Sequence, residues 1–295
     1  MEDAALGIQT FINLILAGIT LGAVYVLMAM GLNLVYGVTK VFNYAQGAFF
    51  GFAGYIIWYL SVGKLHWSYP LAILVAILLM FVFGVIFEKA VVLPLRRQPS
   101  WELTVIIVTL GGALFLDNLT MVTFNPLQKT IPSLWEGTFK LGDSAFSRHD
   151  FIILVTAVVV LTALSLFLSK TRIGMSMRAV SQDQTGARIV GLPVNNLYSL
   201  TFGIAGALSA IAAVLLIPRQ LLYPGVGWTV LMKAFVIIVL GGLGSFKGTI
   251  VAAFFLAVVE IFVTYFLGGI WALPLFLLML IIILVFRPKG LFGTW

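Results

Sequence analysis

Charged side chains are scarce in this sequence, and the few that fall inside apolar runs carry most of its chemical possibilities. Asp117 lies in the run Leu103–Phe124, and Lys233 and Glu260 lie in the two arms of the run Leu231–Phe266. An ionisable group in a membrane segment is a functional candidate by default, and opposite charges there tend to pair. Lys233 and Glu260 are therefore expected to neutralise each other or groups on other helices. Asp117, near the end of its run, is either a functional acid or one that reaches interfacial water. Other chemistry is missing. The sequence has no cysteine, so it has no disulfide, thiolate metal site or cysteine nucleophile. His66 and His149 stand far apart in polar stretches, and there is no H-E-x-x-H. The stretch GGLGSFKGT looks like a phosphate loop but lacks the G-x-x-x-x-G-K-[ST] spacing. No apolar run holds the paired acids that hydrolysis or a metal would require. The chain is not expected to be an enzyme, to hold a metal or to bind ATP itself.

The elements that position these residues are membrane helices. Over 295 residues the composition is 62% hydrophobic and 9% charged, whereas a soluble domain has roughly 25% charged residues. Several apolar runs approach the ~20 residues that cross a bilayer as a helix, and the alternation of a β-barrel is absent. The class expected is an all-α polytopic membrane protein. The net charge of +7 is read as positive loops on one side rather than as nucleic-acid binding. The start, MEDAALGIQTF, is acidic where a signal peptide would be basic. The N-terminus is expected outside and uncleaved.

Two runs are too long for one span and are broken by glycines and polar residues. Ile8–Met30 continues into Gly31–Leu60, where Asn33, Gly37, Lys40, Asn43, Gln46 and Gly47 fall at or near membrane depth. Polar groups at depth are tolerated only against protein or a wet cavity, and broken helices often line a transporter's path. An ordinary turn around Lys40, with glycines serving helix packing, reads the same residues equally well. Leu231–Phe266 breaks at Gly241–Gly248, giving two crossings that meet at a turn, or a short re-entrant pair. The two breaks resemble each other, as repeats in transporters do.

With the spans Pro70–Leu93, Leu103–Phe124, Phe151–Ser169, Ser199–Ile217 and Ile270–Phe286, the layout has eight to nine crossings. The C-terminus then lies in the cytoplasm. Most basic residues sort to that side, among them Lys40, Arg96, Arg97, Lys247, Arg287 and Lys289, as the positive-inside rule demands. Two polar stretches remain. Asn125–Asp150, with mixed charges, reads as an external loop, a plain connector or a docking place. Lys170–Tyr198 carries Lys170, Arg172, Arg178 and Arg188 against the single acid Asp183 and should face the cytoplasm. Within it, Gly174–Gly191 predicts one short amphipathic helix stopped by Pro193. Such a helix suits the groove of a soluble partner. A solvated basic loop that only fixes orientation is the plainer reading.

Four stretches now carry a resemblance that runs nearly end to end. They are ITLGAVYVLMAMGLNLVYG with NYAQGAFFGFAGY; LPLRR; GMSMRAVSQDQTGARIVGL; and MKAFVIIVLGGLGSFKGTIVAAFFLAVVE with the RPKGLFG tail. In this order they resemble the permease subunits of branched-chain amino acid ABC importers, of the LivH/LivM type and nearer to LivH. One position departs: Gln46 stands where many relatives carry histidine. Glutamine keeps hydrogen-bonding capacity but does not titrate near neutral pH.

The resemblance implies one transmembrane permease domain over residues 1–295 in an inner membrane. It implies a pore made with a second, LivM-like permease, two cytosolic ATP-binding subunits that hold the ATP, and an external substrate-binding protein. It implies that Gly174, Arg178, Ala179, Asp183, Ala187 and Gly191 belong to the helix that couples to the ATPases. Asn33, Tyr36, Asn43, Gln46 and the backbone of Gly241, Gly242 and Gly244 become the expected substrate path, from the placement of the breaks. The competing class is a self-sufficient transporter driven by protons or sodium, which would use Asp117, Lys233 and Glu260.

Overall fold

The computed structural model describes residues 2–97, 100–141, 144–288 and 290–292. Lys289 and Asp143 lie outside the described residues, as do the side chains of Arg97 and Lys140. Eleven helices follow in order: α1 (Glu2–Thr39), α2 (Ala45–Trp58), α3 (Tyr69–Phe87), α4 (Trp101–Phe124), α5 (Arg148–Lys170), α6 (Arg172–Gln182), α7 (Gln184–Ile189), α8 (Val194–Leu216), α9 (Val226–Gly241), α10 (Phe246–Leu267) and α11 (Ala272–Phe286). The last turns of α2 and α3 widen to π geometry, at Tyr59–Gly63 and Glu88–Val92. Eight helices among the described residues are long and apolar enough to cross a membrane, and α9 is a shorter ninth. At 16 residues α9 spans roughly 24 Å, less than the ~30 Å hydrocarbon core.

The helices sort by surroundings. In α8, 78% of the most apolar window is buried inside the protein, against 11% for the window ending at Phe286 in α11. So α8 is a core helix, packed against α1, α2 and α3. Much of α3, α4, α5 and α11 presents Leu, Ile, Val and Phe outward, the face that a bilayer covers. Close approach in the core uses glycine. Gly47 of α2 meets Gly227 of α9, and a Cβ on Gly47 would lie 2.6 Å from the Gly227 carbonyl oxygen. Gly84 and Gly206 let α3 and α8 touch through their backbones.

The structure corrects the first break. Helix α1 runs on through Asn33 and Gly37, and only residues 40–44 leave helical geometry. Polar character does not break the helix there because Asn33 finds partners in the α9–α10 turn and on α10. The non-helical residues sit against mid-helix positions of α4, where the Tyr44 amide donates to Thr109 Oγ1 at 3.2 Å. Irregular backbone at this depth is thus packed in protein. A small addition went unforeseen: Thr138–Leu141 and Ser144–Ser147 pair as an antiparallel hairpin (β1, β2) between α4 and α5, with Phe139 opposite Phe146.

Candidate functional site

Helix α1 is tied to the second broken segment. Asn33 Oδ1 accepts from the Gly244 amide at 2.7 Å. Its Nδ2 donates to the Ser245 carbonyl at 3.2 Å and to Thr249 Oγ1 at 2.9 Å. One side chain of α1 therefore holds the second half of the turn between α9 and α10 and the first turn of α10. That turn needs glycine: Gly242 and Gly244 have φ of 102° and 80°, a region open to glycine at no steric cost. The segment after α11 closes over it. Leu291 and Phe292 amides donate to the Leu240 and Gly241 carbonyls at 2.8 and 3.1 Å, capping the end of α9 with a distant strand of chain.

Gln46 holds the start of α2. Its Nε2 donates to the Ala205 carbonyl at 2.9 Å and to Ser209 Oγ at 2.6 Å, both on α8. Asn43 Oδ1 accepts from the Ala45 amide at 3.1 Å. Gln46 Oε1 and Asn43 Nδ2 are buried with no hydrogen-bond partner among the described residues. Asn43 borders a cavity of about 80 Å³ with Leu32, Phe42 and Phe235. Tyr36 is half-buried and stacks on Phe42, ring centroids 4.5 Å apart. The path candidates thus gather around two adjacent breaks, with Asn33 and Gln46 occupied by bonds inside the chain.

Lys233 and Glu260 are brought together, with Nζ 2.6 Å from Oε1. Tyr25 of α1 joins them: Lys233 donates to its hydroxyl at 2.7 Å, and that hydroxyl donates to Glu260 Oε2 at 2.9 Å. The triad lines a cavity of about 310 Å³ together with Arg219, Gln220 and Thr229. Sequence reading missed Tyr25, since a tyrosine in an apolar helix reads as packing. Asp117 is not free either: it accepts from the Trp228 indole at 2.6 Å.

The expected single helix over Gly174–Gly191 is two helices. Asp183 breaks it, with φ −148° and ψ 107°, and its side chain accepts from the Thr185 amide at 2.9 Å to cap α7. An aspartate gains more as an N-cap than inside a helix. Gly191, at φ 80°, ends α7 while the Leu192 amide reaches the Ala187 carbonyl at 3.0 Å. Gly174 and Ala187 are buried; Arg178, Ala179, Asp183 and Gly191 face outward. The buried side of α6, through Met177, borders a cavity of about 140 Å³ that also meets Asn33, Gly37 and Gly244. At the tip of α7, Ile189 and Val190 are 80% and 75% exposed, beyond the residues singled out from sequence. Beside this pair of helices, Glu88 is buried between Arg96 and the Ser199 hydroxyl, and Arg96 stacks over Tyr198 at 3.9 Å.

A bundle of this kind, with interrupted helices at its centre and a pair of short helices at one end, defines a polytopic membrane protein. Residues 14–286 match the family described as the permease component of the branched-chain amino acid transport system, and the chain belongs to that family. It is 33% identical to the high-affinity branched-chain amino acid transport system permease protein BraD of Pseudomonas aeruginosa, over 97% of each chain. It is 28% identical to the corresponding permease LivH of Escherichia coli, over 96% of each. It is also 28% identical to the permease LivM of Escherichia coli, over 92% of this chain and 68% of that one. Family and helices together make it a multi-pass protein of the inner membrane.

Proposed function

We propose that the chain is one transmembrane half of an ATP-driven importer for branched-chain or related amino acids. A second, LivM-like permease completes the pore, two cytosolic subunits bind and hydrolyse ATP, and an external protein delivers substrate. The end bearing α6 and α7 faces the cytoplasm, and the hairpin end faces outside. The observation that carries this reading is the α6–α7 pair. Its outer side offers Arg178, Ala179, Asp183 and the apolar tip Ile189–Val190 to a partner. Its inner side adjoins the Asn33–Gly244 clasp between α1 and the second break. A push on α6 thereby reaches both broken segments through packed contacts, which is what alternating access between two discrete arrangements needs. Tyr36, Asn43 and the Gly241–Gly244 backbone border the path, with Asn33 and Gln46 fixing its wall from behind. The relatives named LivH and LivM support a paired permease.

The test is co-purification in mild detergent followed by an ATPase assay. A second permease and an ATP-binding subunit should accompany the chain, and Arg178→Glu should insert normally yet lose the ATP-binding subunit or coupled uptake. A chain that purifies alone and moves solute down an ion gradient in liposomes would overturn the proposal in favour of an ion-coupled transporter.

A further inference from the structure

The Lys233–Glu260–Tyr25 triad does not stabilise the bundle cheaply. Each member is mid-helix, Glu260 and Tyr25 are buried, and Lys233 is mostly so. A buried ion pair can be replaced by packed apolar residues without loss of stability, and intramembrane charges mark substrate pathways. The pair also faces space. It lines the cavity of about 310 Å³, within the roughly 300–1,000 Å³ range of small-molecule sites. Arg219 and Thr229 of its lining are exposed, and Arg219 pairs at 2.8 Å with Asp150 in the first turn after the hairpin, so the cavity opens towards the hairpin end. Gln220 borders it with an Nε2 that has no partner among the described residues. Its lining is mixed in chemistry. Leu21, Leu216, Val226 and Val230 are apolar, while the triad, Arg219 (paired with Asp150), Gln220, Tyr223 and Thr229 are polar.

We propose that this cavity is a transit site for zwitterionic amino acids, in which Lys233 takes the substrate carboxylate, Glu260 takes its ammonium, and the aliphatic side chain lies against Leu21, Leu216, Val226 and Val230. The inference rests on the importer reading above and names how the substrate's charges are met. The argument is charge conservation. A zwitterion inserted between Lys233 and Glu260 gives each a partner of opposite sign, so no charge in the membrane is left bare while the pair is open. Once the substrate leaves, the pair recloses. A cation or an anion alone would leave one of the two residues uncompensated, so the site selects amino acids over amines and carboxylic acids of the same shape. Tyr25 holds both partners by hydrogen bonds and limits how far they separate.

The experiment uses the assembled importer in proteoliposomes. Lys233→Met combined with Glu260→Leu removes both charges together. The double variant should assemble with its partner subunits, while ATP-driven uptake of L-leucine falls at least tenfold. Uptake at the wild-type rate by an assembled double variant would overturn the proposal. Because the chain has no cysteine, Thr229→Cys places a single thiol at the cavity rim for a membrane-impermeant thiol reagent. L-leucine should slow its labelling, whereas leucinamide and 4-methylpentanoate should not. Labelling that L-leucine leaves unchanged, or that all three slow equally, would overturn it, and this arm decides if the double variant fails to assemble. Absence of ATP-driven uptake by the unaltered importer would instead sink the functional reading, with the labelling arm still reporting on the cavity.

Discussion

Gly241 and Gly248 meet across the α9–α10 turn so closely that a Cβ on Gly241 would lie 2.5 Å from the Gly248 carbonyl carbon. Two backbones, not two side chains, make this contact. Adding a methyl group to either residue forces the helices apart at the point where Asn33 clasps the turn. Gly241→Ala or Gly248→Ala should cost about 1–3 kcal/mol, the usual range for overpacking. Gly111 of α4, which has nothing within 4 Å of a built Cβ, is the control. Its alanine variant should be neutral or gain up to ~1 kcal/mol in helix propensity. Thermal unfolding of the three variants in one detergent compares them.

Removing Asn33 should release the turn before it harms the bundle. Asn33→Leu leaves the exposed Gly244 amide to water in place of its acceptor, at about 0.5–1.5 kcal/mol for each hydrogen bond lost. Asn33→Asp keeps that acceptor and loses the donors to Ser245 and Thr249. Hydrogen–deuterium exchange over residues 242–249 should therefore rise strongly in the first variant and less in the second. Equal protection in both would mean that the clasp does not govern the turn.

The ion pair predicts a non-additive pattern. Glu260→Leu alone strands the Lys233 ammonium, and a broken buried pair costs about 3–5 kcal/mol. Lys233→Met alone strands the carboxylate. The double change removes both charges and should be more stable than either single variant. A double-mutant cycle on the unfolding temperature in detergent measures the difference.

The tip of α7 predicts the opposite separation of stability from assembly. Ile189 and Val190 are strongly exposed, so Ile189→Ser with Val190→Ser should change stability by no more than ~0.5 kcal/mol each. Retention of the ATP-binding subunit through purification should nonetheless fall several-fold. Unchanged retention would remove the tip from the proposed interface.

Asp117 and Trp228 make a further test. Asp117→Asn keeps an acceptor for the indole N–H, whereas Asp117→Leu leaves that donor unpaired at about 1–3 kcal/mol if it stays buried. Near-normal unfolding for asparagine and a lowered temperature for leucine would identify the aspartate as a hydrogen-bond acceptor. Equal losses in both would point to its charge.

The spans were legible because twenty-residue apolar runs carry their own length signal. Lys233 and Glu260 were legible for a similar reason: two opposite charges in an apolar background have few other partners. What pairs with Asn33 was not readable. The asparagine looked like a helix breaker, yet its partners lie over two hundred positions away in the α9–α10 turn and on α10, and only tertiary contact supplies them. Tyr25 was missed on the same grounds. Asp183 shows the local counterpart. It was counted among the polar residues of one helix, although a residue type that caps well next to Gln184-Thr185 could have signalled the division into α6 and α7. The hairpin Thr138–Ser147 was hidden by its shortness, with four residues in each strand.

The cap on α9 has a consequence for the order of synthesis. The amides that close over Leu240 and Gly241 belong to Leu291 and Phe292, about fifty residues later in the chain. At translation rates of about 5–20 residues per second, α9 waits roughly 3–10 s on the ribosome with its last carbonyls open. During that interval the glycine turn is held from one side only, by Asn33. A nascent chain stalled before residue 290 should therefore present this turn to proteases or to the insertion machinery, whereas the finished chain should not.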